Sequence, residues 1–495
     1  MNFNKKLAVA VSGAVILMAG QFAIADSTTD IVDALIMKGV LTEEEGRLIT
    51  KGHNAKTKVT PVAKEKDGAL FLETPDGNGN VSIGGRIHFD YRDYNENGDS
   101  NAALSSTAAT PSAVQADTFD IRRARITTKF KFAKYYSGEV TINAVGGVNI
   151  LDVGYMDIAW AEKAKLRFGQ FKMPFSLEQL TSSNNIDFIE RSFVDAYIPA
   201  KEVGLQLFGS PTKGMTYALA LSNGYGSANS TSAELDNRQD GKDVIGRLTY
   251  NIAEAMGDKE KVMHLGASFS AGESPLSGGF GGNRATEARG YSFYTQPVVT
   301  PLGTNDKTQT RTRWNLEGAF AFGATKIQAQ YTRQNHEFYV DAVNQDHDIN
   351  TGYVQVLHTL TGEKWADRYK DGAFGALKPI KNFDGDTMTG GAWEVGARYS
   401  SFDASDFNSA ANLTAGTLDT AATHGTTGLV TRVAGYTKAN AASLGVKFWA
   451  NPNFRMMAEY VYTDFNGLIG TTTPNLNGRE VKDEQAILMR TQIMF

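Results

Sequence analysis

The chain contains no cysteine, so no disulfide framework contributes to its stability. Beyond its first residues it also lacks any run of about 20 consecutive apolar residues, which excludes membrane-spanning helices. Its 7 histidines are scattered, with no H-E-x-x-H helix and no His/Cys metal spacing. A G-x-S-x-G elbow and a P-loop are missing as well. The glycines from Gly278 to Gly282 lie in a loop without the strand-then-helix context that a phosphate cradle needs. No catalytic constellation can therefore be assembled, and no enzyme activity, cofactor, metal site or nucleic-acid partner is expected.

What is present begins with an export signal. Lys5 and Lys6 precede an apolar run from Leu7 to Met18, and Ala23-Ile24-Ala25 offers a small-x-small cleavage site. Residues 1–25 are thus expected to be removed, leaving Asp26 first. Residues 26–66 read as a short periplasmic helical hairpin and linker. Thr28-Thr29-Asp30 can cap a helix carrying Ile31, Val32, Leu35 and Ile36 that Gly39 stops, and Thr42 with Glu45 matches a capping box for a second. Lys51 to Asp67 reads as polar linker.

From Val81 onward the hydrophobic period is two. Val81, Ile83, Ile87, Phe89 and Tyr91 alternate with Ser82, Arg86, His88, Asp90 and Arg92. The pattern recurs at Trp314, Leu316, Phe320 and Phe322, at Trp393, Val395 and Tyr399, at Leu444, Val446 and Phe448, and at Ile487, Met489, Ile493 and Phe495. Aromatics near the strand ends resemble membrane-interface girdles. Connections alternate between short (133–137, 162–164, 209–214, 323–324, 451–453) and long (95–118, 173–201, 223–242, 271–311, 402–441, 464–484). Short turns at one rim and long loops at the other give a count of about 16 strands, even, with both ends periplasmic. The fold expected for residues 67–495 is a 16-stranded antiparallel transmembrane β-barrel in the bacterial outer membrane. One connection breaks the parity. Residues 362–391 belong at the short-turn rim yet are long and basic, so either the count fails there or this segment folds into the pore.

The lumen face concentrates positive charge. Arg122, Arg123, Arg125, Lys129 and Lys131 crowd one strand, and Arg490 on the last strand faces the same way as Arg86 and Arg123. Cation rings in a narrow channel attract anions, and arginine's planar fork suits a phosphate-like oxyanion. Glu139 and Asp90 moderate that field.

Several segments taken together resemble one family. They are Ile83-Gly84-Gly85-Arg86, Phe119-Asp120-Ile121-Arg122-Arg123-Ala124-Arg125, and Leu166-Arg167-Phe168-Gly169-Gln170-Phe171-Lys172-Met173-Pro174-Phe175-Ser176-Leu177-Glu178 continuing through Thr181-Ser182-Ser183 to Ile189-Glu190-Arg191. Leu316-Glu317-Gly318-Ala319, Leu360-Thr361-Gly362-Glu363, Gly391-Ala392-Trp393-Glu394 and Leu444-Gly445-Val446 follow in order. The chain resembles the phosphate-selective porin O/P family across almost the whole barrel. That resemblance implies a homotrimer whose third extracellular loop, about 173–201 here, folds inward to form the constriction. It implies a ladder at Arg86, Arg123 and Arg247 and a central anion site at Asp152, Ser182, Ser183 and Arg191. Two positions depart from the family pattern. A lysine expected three residues before the paired serines is Gln179, and one expected in the long periplasmic turn is Phe374. An amide and an ammonium differ greatly toward a dianion.

The expected function is passive diffusion of small anions, phosphate or polyphosphate among them, with outer-membrane lipid around the barrel. The alternative is a general, weakly selective diffusion porin without a specific phosphate site. A third reading gives the loops 271–311 and 402–441 to adhesion.

Overall fold

The computed structural model describes residues 27–57, 61–66, 68–95, 117–145, 150–224, 241–275, 284–294, 298–300, 308–340, 343–408, 429–431, 435–469, 475–476 and 479–495. The expected signal segment and much of the long loops lie outside the described residues. The chain divides into two units, Met1–Ile83 with Thr128–Lys134, and Gly84–Thr127 with Tyr135–Phe495.

In the first unit, α1 (Ser27–Met37) ends at Gly39, whose φ of 70° lets Val40 N–H return to the Leu35 carbonyl at 2.9 Å. Helix α2 (Glu43–Thr57) starts at the capping box: Thr42 N–H donates to Glu45 at 2.9 Å and Glu45 N–H to the Thr42 hydroxyl at 3.2 Å. Three glutamates in its first turn favour the positive helix end. The stretch expected as linker departs from that reading. The helix continues to Thr57, and Val62–Lys66 forms a hairpin with Ala69–Glu73, which pairs in turn with Asn80–Ile83.

The barrel strands are β1 (Asn80–Asn95), β2 (Thr118–Phe132), β3 (Tyr136–Asn143), β4 (Leu151–Ala161), β5 (Ala164–Lys172), β6 (Lys201–Gly209), β7 (Met215–Ser222), β8 (Asp243–Asn251), β9 (Lys261–Pro275), β10 (Thr308–Phe322), β11 (Thr325–Val340), β12 (Val343–Thr359), β13 (Ala392–Asp403), β14 (Gly435–Asn451), β15 (Phe454–Ile469) and β16 (Asp483–Met494). They pair antiparallel in chain order, and β16 returns to β1 with Met494 opposite Arg86. The 16-stranded barrel is therefore closed, and closure removes the unpaired edges that lipid could not satisfy.

Alternation assigns the faces as the sequence does. Trp314, Leu316, Phe320 and Phe322 are exposed, whereas Asn315, Glu317, Ala319 and Ala321 are buried. So continuous an apolar exterior makes sense against hydrocarbon and not against water. Outward rings pair across strands, as in Phe89–Phe119 (5.7 Å between centroids) and Trp393–Phe448 (4.8 Å).

The closing contact is made by the last residue. Gly85 N–H donates to the Phe495 carbonyl at 2.5 Å, and Phe495 N–H donates to the Gly85 carbonyl at 3.1 Å. A Cβ on Gly85 would stand 2.5 Å from the Phe495 ring and 2.6 Å from the Arg125 carbonyl oxygen, so only glycine fits.

Among the described residues, three segments occupy the interior. Loop L3 (residues 173–200) buries Met173, Phe175, Leu177, Ile189, Phe193 and Val194. Residues 284–294, expected in an exposed adhesive loop, instead bury Ala288, Phe293 and Tyr294 against Phe193, Phe402 and Phe465. Phe407, also in a loop given to adhesion, is buried in the same cluster. The basic turn 360–391 resolves its parity conflict by folding inward: Trp365, Phe374 and Leu377 are buried.

Candidate functional site

Closure and alternation send every second side chain into a lumen too small to leave them all solvated. The lumen charges then sort into two groups. Along β8–β16, Arg247, Arg313, Lys326, Arg398, Lys447, Arg455 and Arg490 are each less than a tenth exposed. Along β1–β6, Asp90, Arg92, Arg123 and Glu202 are buried too, but Arg86, Arg122, Arg125, Glu139, Asp152, Arg167 and Lys201 keep partial exposure, as do Ser182, Asn184, Asn185 and Arg191 on L3. Partial exposure is thus shared by side chains of L3 and of the β1–β6 wall.

The buried group holds L3 in place. Backbone N–H groups of Leu177, Ile189 and Phe193 donate to the carboxylates of Glu317 (2.7 Å), Glu459 (2.7 Å) and Glu287 (2.8 Å). The carbonyls of Ile186, Ile189 and Glu190 accept from Arg455 (3.2 Å), Arg490 (2.5 Å) and Arg398 (3.0 Å). Ion pairs close the network. Arg490 makes a two-pronged contact with Asp90 at 2.7 Å on each arm, and Arg398 meets Glu287 at 2.6 Å. A loop inside a pore carries backbone groups that no sheet satisfies, and charge-assisted bonds satisfy them here.

The positions expected to form the ladder separate accordingly. Arg247 is buried and directed to Glu317 and to the Gly372 carbonyl (3.2 Å). Its carboxylate partner also meets His264 at 3.2 Å, so the site is a buried anchor for the turn 360–391. Arg490 is likewise fully buried among L3 anchors. Adjacent Arg122 and Arg123 both turn inward, Arg122 to Glu190 at 2.7 Å and Arg123 into a buried position beside it. Strict alternation would send one of them to lipid, yet Arg122 pairs with Glu190 of L3 and Arg123 is buried.

In the partly exposed group, Arg86 donates to Ser183 Oγ at 3.0 Å, Ser182 Oγ at 3.4 Å and Asn184 Oδ1 at 3.1 Å. Arg125 pairs with Asp152 at 2.9 Å, and the same Asp152 oxygen contacts Lys201. Arg191 donates to the carbonyls of Glu178 and Thr181, both at 3.2 Å, at the end of the helical turn Leu177–Leu180. The charges of Arg125, Asp152, Glu139 and Arg191 all act at Arg86, so these residues share one field. Arg86, Arg125, Asp152, Ser182, Ser183 and Arg191 are thus brought together. Gln179 is buried, and its carbonyl accepts from Lys172 at 2.6 Å. Phe374 packs between Trp365 and Tyr369 with the Lys326 ammonium 4.4 Å from its ring centre, so it fills space where a lysine would carry charge.

Sequence reasoning missed Lys172, Lys201 and Asn184 at this site. Lys172 has the parity of the exposed Phe168 and not of Arg167, so alternation offered no signal for it. Lys201 opens the strand after the loop, where no pattern precedes it.

The family model of the phosphate-selective porins O and P matches residues 81–495. Porin O of Pseudomonas aeruginosa is 27% identical over 455 residues, covering 86% of this chain and 91% of the relative. Among solved structures, the chain is similar to a loop-L8 deletion mutant of OmpT, an outer membrane protein of Vibrio cholerae (11% identity, 84% of this chain, 100% of that one, TM-score 0.47). It is also similar to the outer membrane channel DcaP of Acinetobacter baumannii (13% identity, 84% and 98%, TM-score 0.45). With the family match spanning the whole closed barrel, the chain belongs to the phosphate-selective porin O and P family, as a non-enzymatic channel of the outer membrane.

Proposed function

We propose that this porin passes small anions preferentially, phosphate-like oxyanions among them, down their concentration gradients. The observation carrying this reading is a set of cations beside L3: Arg86 on Ser182 and Ser183, Arg125 and Lys201 on Asp152, and Arg191, whose charge acts at Arg86. Fixed cations in a low-dielectric passage raise the local anion concentration and repel cations. Arg122 and Arg123 lie on the same strand as Arg125 and extend the field above it. Reversal potentials of the reconstituted channel in a planar bilayer under a salt gradient are expected to show anion preference, with phosphate blocking chloride current. A cation-selective channel would overturn the reading. Arg191→Ala is expected to weaken phosphate block about tenfold or more, since it removes a charged donor and frees two loop carbonyls.

A weakly selective diffusion pore is favoured by one observation: Gln179 is neutral and its side-chain oxygen is buried without a hydrogen-bond partner among the described residues. Such a pore would conduct chloride without phosphate block. The proposed assembly is a homotrimer, with residues 1–25 removed on export and the α1–α2 segment in the periplasm. Native mass measurement of the purified protein tests the first two.

The constriction also carries a titratable group near neutrality. Glu178, on L3, accepts from Ser192 N–H at 2.9 Å and from its hydroxyl at 2.6 Å. Burial, against the pull of Arg398, pushes its carboxyl up to about 7, with the Asp195 charge adding to the rise. A raised carboxyl is neutral below that value and negative above it. Anion preference should therefore fall as pH rises from about 6 to 8, and Glu178→Gln should flatten that change. A wild-type reversal potential constant over this interval would refute the role of Glu178.

A further inference from the structure

Two lysines stand at the neck of L3. Lys172 ends β5 and Lys201 begins β6, and they are direct cross-strand partners in the ladder. Like charges placed opposite each other repel, so each needs its own counterweight. They find different ones. Lys172 is spent on the loop, because its ammonium donates to the carbonyls of Gln179 (2.6 Å), Leu180 (3.4 Å) and Thr181 (3.1 Å). An ammonium has three N–H donors, so these bonds use all of them. Lys201 instead meets Asp152, an oxygen it shares with Arg125, and its side chain keeps 18% exposure. Arg125 and Arg191 act on it as they act on Arg86, which puts Lys201 in the same electrostatic site.

We propose that Lys201 is a specificity-determining residue of this channel. It supplies from the strand wall the ammonium that position 179 on the loop lacks, and biases the pore toward divalent oxyanions such as phosphate and sulfate. A dianion beside Lys201 would also relieve the repulsion between the paired lysines, which a monovalent ion does less well. This inference rests on the anion-preferring reading above.

The absence of cysteine makes a clean test possible. Lys201→Cys gives the full-length channel its only thiol, which can be alkylated in the assembled barrel. The expected result is that Lys201→Cys weakens phosphate block of chloride current about tenfold, the loss expected for one charged donor. A reagent adding an aminoethyl group restores the block, a neutral methyl reagent of the same chemistry does not, and phosphate slows both reactions. In the Lys201→Met background, Gln179→Lys should recover the block, because the two positions serve the same charge. A thiol that does not react, or a block that the cationic and neutral reagents change equally, would overturn the proposal. A wild-type channel without anion preference would instead remove the reading on which it rests, whatever position 201 does.

Discussion

Gly85→Val is expected to leave almost no assembled barrel. The added Cβ meets the Arg125 carbonyl oxygen at 2.6 Å and the Phe495 ring at 2.5 Å, so the first strand, its neighbour and the chain's last residue cannot all keep their places. Backbone on one side cannot yield without breaking the ladder, and a sheet opened at this point exposes unpaired edges to lipid. Removing Phe495 should act on the same contact from the other side, because it takes away both backbone bonds to Gly85. Gly246→Ala is the control, since a Cβ there meets nothing within 4 Å. The measurement is the heat-dependent mobility of the folded barrel in detergent gels. A folded fraction for Gly85→Val equal to that of Gly246→Ala would show that the closing contact does not govern assembly.

Arg398→Met should release the constriction while sparing the barrel. Arg398 joins two interior elements: on L3 it donates to the Glu190 carbonyl and lies 4.4 Å from the ring centre of Phe188, and it pairs with Glu287 of the inserted segment 284–294. Glu178 and Glu459 each come within 3.9 Å of it. Removing one arginine would leave three buried carboxylates short of their counter-charge, and breaking such a buried pair costs about 3–5 kcal/mol. The loop anchors should fail before the strand ladder, which shares none of these bonds. Single-channel conductance is expected to rise at least about twofold with a loss of ion discrimination. Adding Glu287→Gln, which discards one orphaned charge, should recover part of the original conductance. Unchanged conductance in Arg398→Met would mean that L3 is held by its apolar contacts alone.

These two expectations differ in how they could be reached. Strand faces were legible because alternation is local: Trp314, Leu316, Phe320 and Phe322 announce their side without knowledge of any partner. Connection lengths fixed the strand count near 16 and placed L3, and the odd length of 362–391 flagged the inserted turn. The pairing of inward charges was not legible. Arg490 and Asp90 lie 400 residues apart, and Arg398 meets Glu287 across 111. Arg247, Arg490 and Arg123 look alike by parity, yet two of them anchor interior segments. Arg122 and Arg123 are adjacent, so alternation alone does not explain how both turn inward.

The closing strand separates what each level determined. From sequence alone, Ile487 to Phe495 is an amphipathic strand with a terminal aromatic, which suffices for a barrel in a membrane, since periodicity and hydropathy are properties of neighbouring residues. Only the tertiary structure decided that Arg490, on that same strand, holds L3 by the Ile189 carbonyl while paired with Asp90 of β1. It likewise brought Lys201 to the Asp152 carboxylate that Arg125 also meets. A side chain's face follows from its own strand. Whether its charge meets a solute or a carboxylate depends on what the folded chain brings into the lumen beside it.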